Sequence, residues 1–311
     1  MKTAVQASSE QASSVWLRAM PMVFVIVWST GFVAAKYGLP YAPPLTFLSI
    51  RYALSLACFV LWTVLARAAW PREGQQWLHL AVTGVLMHAG YLGGVWVAVK
   101  AGMGSSLVAL VVGLQPVLTA LWLSLVATSP DHTGHKVTTR QWLGLVLGFA
   151  GLLLVVWRKL GIGQEATTLT LVASSFALLS ITAGTLYQKR FLKSVDVRSA
   201  GVIQIIAALA VTLPLALFET ETIVWHPQFI GALLWSVLVL TLGGSSLLYI
   251  LIQRGAATAV TSLLYLVPPC TALMAWLLFA EPITAVTVLG TVITALGVSL
   301  VVRTAKPKPL A

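Results

Sequence analysis

Residues 102–127 read GMGSSLVALVVGLQPVLTALWLSLVA, and residues 255–280 read GAATAVTSLLYLVPPCTALMAWLLFA. Neither stretch carries a charged side chain, and each is long enough to cross the hydrocarbon core of a bilayer as a helix. Each is also interrupted by proline at the same place. An offset of 153 residues lays Gly102 on Gly255 and Pro116 on Pro269. A charge-free, proline-broken segment that occurs twice marks a membrane-embedded chain with an internal duplication.

The composition outside these stretches agrees. Of 311 residues, 59% are apolar and 9% charged, whereas soluble proteins carry about 25% charged residues. Eight Asp and Glu are too few to solvate a globule of this size. A soluble enzyme, a disordered chain and a coiled coil are excluded. Apolar runs between turn signals predict ten helices, at about 17–37, 44–66, 76–99, 103–127, 140–158, 167–188, 198–218, 229–252, 256–280 and 283–303. Breakers such as Pro40-Tyr41-Ala42-Pro43-Pro44 and Pro71-Arg72-Glu73-Gly74 separate them. The fold class is therefore an all-α polytopic membrane protein with ten transmembrane helices. Residues 1–15 and 304–311 read as polar cytoplasmic tails. The first helix reads as a retained span rather than a cleaved signal, because little basic charge precedes it.

The net charge of +11 raises the question of nucleic acid, but the bases fall singly or in small groups between apolar runs. That spacing fits membrane topology, so no nucleic-acid partner is expected. With the N-terminus inside, fourteen of the nineteen Lys and Arg lie on the inner side. Four (Lys36, Lys100, Arg158 and Lys159) lie outside, and Arg51 falls within a span. Both termini are then cytoplasmic and the bilayer is a bacterial inner membrane. Cys58 and Cys270 are isolated packing residues, and the loop residues Asp131, His132 and His135 lack a scaffold for a metal. No metal or cofactor is expected, and the chain is expected to act as a monomer or weak homodimer.

The 153-residue offset holds without a gap from about residue 28 to 127. It also lays Gly31 on Gly184, Lys36 on Lys189, Gly90 on Gly243 and Trp96 on Tyr249. After an insertion of seven residues in the first half, Leu143, Gly144 and Gly151 match Leu289, Gly290 and Gly297. This defines repeats over 16–158 and 166–303. Each holds five spans, an odd number, so the second copy is inverted. Two inverted five-helix repeats enclose a central cavity whose access alternates when one half rocks against the other.

Together these features resemble the drug/metabolite transporter superfamily in its ten-span EamA-type branch. The resemblance rests on Trp28-Ser29-Thr30-Gly31-Phe32-Val33-Ala34-Ala35-Lys36, Pro44 with Arg51, and Gly113-Leu114-Gln115-Pro116. It also rests on Tyr265-Leu266-Val267-Pro268-Pro269 and Glu281-Pro282-Ile283-Thr284. One departure is Thr128, which stands where a Glu usually follows the fourth span. The resemblance implies efflux of small metabolites, often amino acids.

Candidate site residues are the polar and aromatic groups at depth. His88 lies mid-span, and Gly84, His88, Tyr91 and Val95 share one helical face, with Trp96 beside it. His88 either lines a cavity or bonds a neighbouring helix as packing. Trp28, Ser29, Gln115, Ser180, Tyr249 and Tyr265 are further candidates for the cavity wall, and Trp276 is a third deep tryptophan. Arg51 either snorkels to the nearby interface or faces the cavity and pairs with an anion. Pro116, Pro268 and Pro269 break matching helices and read either as gate elements or as static bends. Small polar residues elsewhere, and Gly144-x-x-x-Gly148, suit close helix packing.

No Asp or Glu falls at depth, so the expected function is a transporter that exports small metabolites such as amino acids without a carboxylate proton switch. An exporter of drugs or other cationic compounds is the alternative. A membrane-embedded enzyme or scaffold subunit is the rival from another class, and no catalytic constellation supports it.

Overall fold

Helix boundaries follow the local chemistry. In the computed structural model, which describes residues 20, 22–126, 139–161, 166–192, 195–253 and 266–302, Pro43 is extended and Pro44 opens a helix to Leu65. Proline suits a first helical turn, where its missing N–H needs no partner. The free N–H groups of that turn are met by Glu219, which accepts from Leu45 N at 2.9 Å and from Thr46 N at 2.7 Å. Thr167 caps its helix reciprocally with Thr170, and Asp196 caps the next by accepting from Arg198 N. Left-handed turns at Arg67 and Ala280 end two others.

We number the helices α1 (Met22–Gly38), α2 (Pro44–Leu65), α3 (Gly74–Lys100) and α4, which is split into α4a (Ser105–Val112) and α4b (Gln115–Val126). There follow α5 (Thr139–Gly161), α6 (Thr168–Phe191), α7 (Val197–Ala216), α8 (Pro227–Tyr249, its last turn running on to Gln253), α9 (Val267–Phe279) and α10 (Ala285–Val302). Among the described residues no strand occurs. Five helices, α2, α3, α6, α7 and α8, are long and apolar enough to cross a membrane, and shorter apolar helices cover the other predicted segments. The N-terminal residues 1–19, the loop with Asp131, His132 and His135, and Tyr265 lie outside the described residues.

The helices pair across the two halves of the sequence: α2 packs on α7, α4a on α9 and α5 on α10. The α5–α10 seam is made by glycine. A Cβ on Gly151 would lie 2.5 Å from the Gly290 carbonyl oxygen, and one on Gly297 would lie 2.5 Å from that of Gly144. Each contact is the other with its two sequence-matched glycines exchanged. Large apolar side chains on the outer faces, including Leu65, Trp157, Phe218 and Leu277, are exposed, as lipid-facing surfaces require. Trp70, Trp77, Trp142, Trp157 and Trp225 are exposed near helix ends, as an interfacial belt requires.

α3 and α8 each contain a π-helical segment, Val85–Gly90 and Ser236–Ser245. Shifted by 153, the first falls entirely within the second. A π turn inserts an extra residue into the α-helical ladder, which turns side chains to new directions and leaves carbonyls available, often at functional sites. Met87 and His88 of the first segment and Leu240 and Ser245 of the second line one shared pocket.

Candidate functional site

The π segment of α3 carries His88. Its carbonyl accepts from the Tyr52 hydroxyl at 2.8 Å, and the rings of Tyr52 and His88 meet edge to face. The His88 side chain lines the same pocket as Gln204 on α7, which packs on this segment. In the π segment of α8, the Thr241 hydroxyl donates to the carbonyl of Ser236, five residues back, at 2.9 Å. The Thr241 hydroxyl oxygen in turn accepts from Arg51 Nε on α2, also at 2.9 Å. The 153-residue offset carries Arg51 to Gln204 and His88 to Thr241. Each half thus contributes one long polar side chain to the other half's π segment.

Arg51, His88 and Gln204 help to wall a pocket enclosing about 660 Å³ of empty space, its mouth included. Met87, Leu92, Val95 and Trp96 of α3 line it opposite their own offset partners on α8, Leu240, Ser245, Leu248 and Tyr249. Arg51 and Gln204 line it as a fifth such pair, and Trp28, Gly31, Phe32, His88, Tyr91 and Gln188 complete the wall. Trp28 and Tyr91 stack with ring planes 3° apart.

Six residues singled out in the sequence, Trp28, Arg51, His88, Tyr91, Trp96 and Tyr249, therefore meet in one pocket. Arg51 does not snorkel. It is 3% exposed, and its guanidinium lies over the Trp96 ring, 5.4 Å from the centroid, because its side of α2 faces α8 and not lipid. Other candidates are placed elsewhere. Ser29 is buried but donates to the Val25 carbonyl of its own helix. Gln115 donates to Thr185 on α6, and Ser180 packs where α6 meets Gly90. None of the three lines the pocket. Trp276 is half exposed on the outer face of α9. Pro116 follows the break between α4a and α4b, and a Cβ on Gly113 in that break would lie 2.7 Å from Pro268. The proline sites thus pack on each other, away from the pocket wall, and Pro269 is exposed. Sequence reasoning missed Gln188, Gln204 and Met87.

Toward the end of the bundle that carries Lys36, Lys100 and Glu281, the pocket is plugged. Phe47 meets Trp96 at a tilt of 42° and Phe229 edge on, and all three are nearly inaccessible. Beyond this plug the two halves are tied by Lys36 to Glu281, Lys100 to Glu221 and the Tyr41 hydroxyl to Gln228. Glu281 also accepts from Ser106 Oγ and Ser105 N. Burial pushes the Glu281 carboxyl up, but the hydrogen bonds and charge of Lys36, with the two serine donors, outweigh it and hold it below its ordinary value of 4.5. A depressed carboxyl stabilises while ionised. The carboxylate's contribution to the tie is therefore fully present above that ordinary value and is lost only as the pH falls through the depressed one. Changing the pH from 8 to 6 is expected to leave this closure intact, which labelling of a pocket cysteine from that side will check.

Among the described residues, no Asp or Glu lines the pocket, and no group of His, Cys, Asp and Glu gathers to hold a metal. Comparison with known proteins now has a geometry to meet. The EamA-like transporter family matches residues 17–157 and again residues 168–303. The chain belongs to the EamA-like transporter family. This family is part of the drug/metabolite transporter superfamily, so the protein is a multi-pass membrane transporter. Two uncharacterized transporters of Archaeoglobus fulgidus are similar over nearly the whole chain. One is 23% identical over 284 residues, covering 89% of this chain and 93% of its own, and the other is 22% identical over 283 residues, covering 90% and 96%. A crystal structure of a protein 18% identical in sequence superposes with a TM-score of 0.66 over 92% of this chain and 97% of that one, which is a likeness of fold.

Proposed function

We propose that this EamA-like transporter exports small metabolites such as amino acids by alternating access. In this reading ten helices cross a bacterial inner membrane as two inverted five-helix repeats, over 16–158 and 166–303. Both termini are cytoplasmic, and the Glu281 end faces outward. The observation that carries the reading is the pocket itself. Its wall is built from offset-matched pairs, α3 against α8 and α2 against α7, so a substrate held there touches both halves at once. Rocking one half against the other then changes which end of the pocket is open without rebuilding the site. The aromatic plug and the Lys36–Glu281 tie describe a state closed on the outside, with Gln188, Leu248 and Tyr249 toward the cytoplasm.

Energy coupling follows from the chemistry of the wall. A proton–cation exchanger of the usual kind needs a carboxylate at depth, and this pocket is lined instead by Arg51, His88 and neutral groups. Transport then runs down the substrate gradient, or is coupled through His88. The single fixed charge is positive, which disfavours the alternative of a cationic drug exporter. Cells overexpressing the protein are expected to tolerate toxic amino-acid analogues better, and unchanged sensitivity across a broad panel counts against amino-acid export. In proteoliposomes, uphill accumulation driven by an imposed pH gradient and surviving His88→Asn sinks both coupling schemes.

A further inference from the structure

Three buried N–H donors around the pocket have no acceptor: Nη1 of Arg51, Nε1 of Trp96 and Nε2 of Gln204. All three side chains are more than nine-tenths buried and line the pocket. They come from α2, α3 and α7, so local strain in one helix does not account for them. Burying an unsatisfied donor is costly, and burying an unpaired guanidinium costs more, so native structures supply such groups with partners. Thr241 meets only the Nε edge of Arg51, and Trp96 offers its ring face to the guanidinium but leaves its own N–H free.

The unmet demand is for acceptors, and at Arg51 for negative charge. No acid of this chain supplies it among the described residues lining the pocket. A carboxylate has the needed form: two oxygens with several lone pairs, charge opposite to Arg51, and a planar geometry that a guanidinium grips. Beside the polar His88, Gln188 and Ser245, much of the remaining wall is apolar, with Trp28, Phe32, Leu92 and Leu240 offering surface to an apolar body. We propose that the pocket is a carboxylate site in which Arg51 and Trp96, with Gln204, hold the acid group of a small organic acid or amino acid. Amino acids and simple organic acids share this group, and the absence of a carboxylate in the wall leaves an α-ammonium only aromatic faces and neutral acceptors to meet. This inference rests on the transporter reading and adds the chemical class of the cargo.

The test uses the full-length protein in detergent and in proteoliposomes. Probes are matched sets on one scaffold: phenylalanine, 3-phenylpropionate, phenylalaninamide and phenethylamine, with alanine, propionate and alaninamide as smaller counterparts. The acids are expected to raise the melting temperature and to exchange in counterflow, whereas the amides and the amine do neither. If phenylalanine and 3-phenylpropionate act alike, the ammonium is unread; if only phenylalanine acts, it is read as well. Both results support the site. Arg51→Gln is expected to weaken acid binding by roughly 100-fold, as loss of one partner of a buried charged pair does. Trp96→Phe keeps the ring and removes one donor, and is expected to weaken acid binding about tenfold without making amides competitive. This second variant keeps the inference testable if Arg51→Gln folds poorly. Amides or amines that bind as well as their acids, acid binding unchanged in both variants, or no response to any acid overturns the carboxylate site. Counterflow of sugars, nucleosides or amines in the last case leaves the transporter reading standing, whereas absence of transport for every class brings that reading down as well.

Discussion

Leucine at Gly151 is expected to force α5 and α10 apart and to lower stability by about 3 kcal/mol or more, enough to remove most of the folded protein. The reason is the distance between backbones. At Gly151 even a Cβ would lie 2.5 Å from both the Gly290 carbonyl oxygen and Thr294 Oγ1, and 2.7 Å from Thr294 N. Two of these atoms belong to the main chain of α10, so no rotamer change relieves the clash. Within a bilayer, lipid is as apolar as the helices, and close packing of this kind supplies much of what holds them together. The matched contact at Gly297, against Gly144 and Gly148, loses its fit when the helices separate. Leucine at Gly231, where nothing lies within 4 Å of a Cβ, serves as the control and is expected to change stability by less than about 0.5 kcal/mol. Thermal unfolding in detergent reads both. Equal melting temperatures for the two variants would falsify the seam.

The second large effect is expected at the outer closure. Glu281→Lys places a second ammonium against Lys36 and deprives Ser105 N and Ser106 Oγ of their acceptor. A tie between halves becomes a repulsion, and the equilibrium moves toward the state open on that side. With Cys58 and Cys270 replaced by alanine, a cysteine at Leu92 on the pocket wall reports the change. A membrane-impermeant thiol reagent added outside is expected to label it at least about tenfold faster in Glu281→Lys than in the parent, since each tenfold needs only about 1.4 kcal/mol of population shift. Glu281→Gln keeps an acceptor without the charge and should fall between the two. Labelling rates that do not differ would show that the Lys36–Glu281 contact decorates the surface and closes nothing.

The helices were legible in the sequence because apolar runs, proline and glycine define them with little help from tertiary contacts. Pro44 opens α2 where the reading places it, and α7 begins at Val197 after its Asp196 cap. The pocket was legible where residues stand out chemically. His88, Tyr91 and Trp96 are conspicuous in an apolar helix, and helical spacing put them together. Spacing could not say which face of α2 looks inward, so Arg51 was open to a surface reading that its burial removes. Nor could it find the π segments, whose extra residue is stabilised by partners on other helices, Tyr52 for one and Arg51 for the other. Gln204 passed unnoticed among the small and apolar residues of α7, although the offset that matches Gly31 to Gly184 leads to it directly from Arg51. Ser29 and Gln115 were polar at depth for other reasons: a serine that satisfies itself within its own turn, and a glutamine spent on a neighbouring helix.

The pairing of Arg51 with Gln204 breaks the equivalence of the two halves at one position, and this has a consequence for the cargo's journey. In the proposed alternating access the halves exchange shapes, but the guanidinium stays with α2, toward the Lys36–Glu281 end of the pocket. On the proposed export of an acid, a molecule arriving from the cytoplasm would travel acid-first to reach it, with its tail filling the space behind. When the outer side opens, that acid is the first part to regain water, so leaving begins with the group that was hardest to dehydrate. Without coupling through His88, the concentration gradient decides which way net flow runs. On the proposed carboxylate site, the single charge sets the posture of the passenger, which goes through the membrane head-first and does not turn round inside.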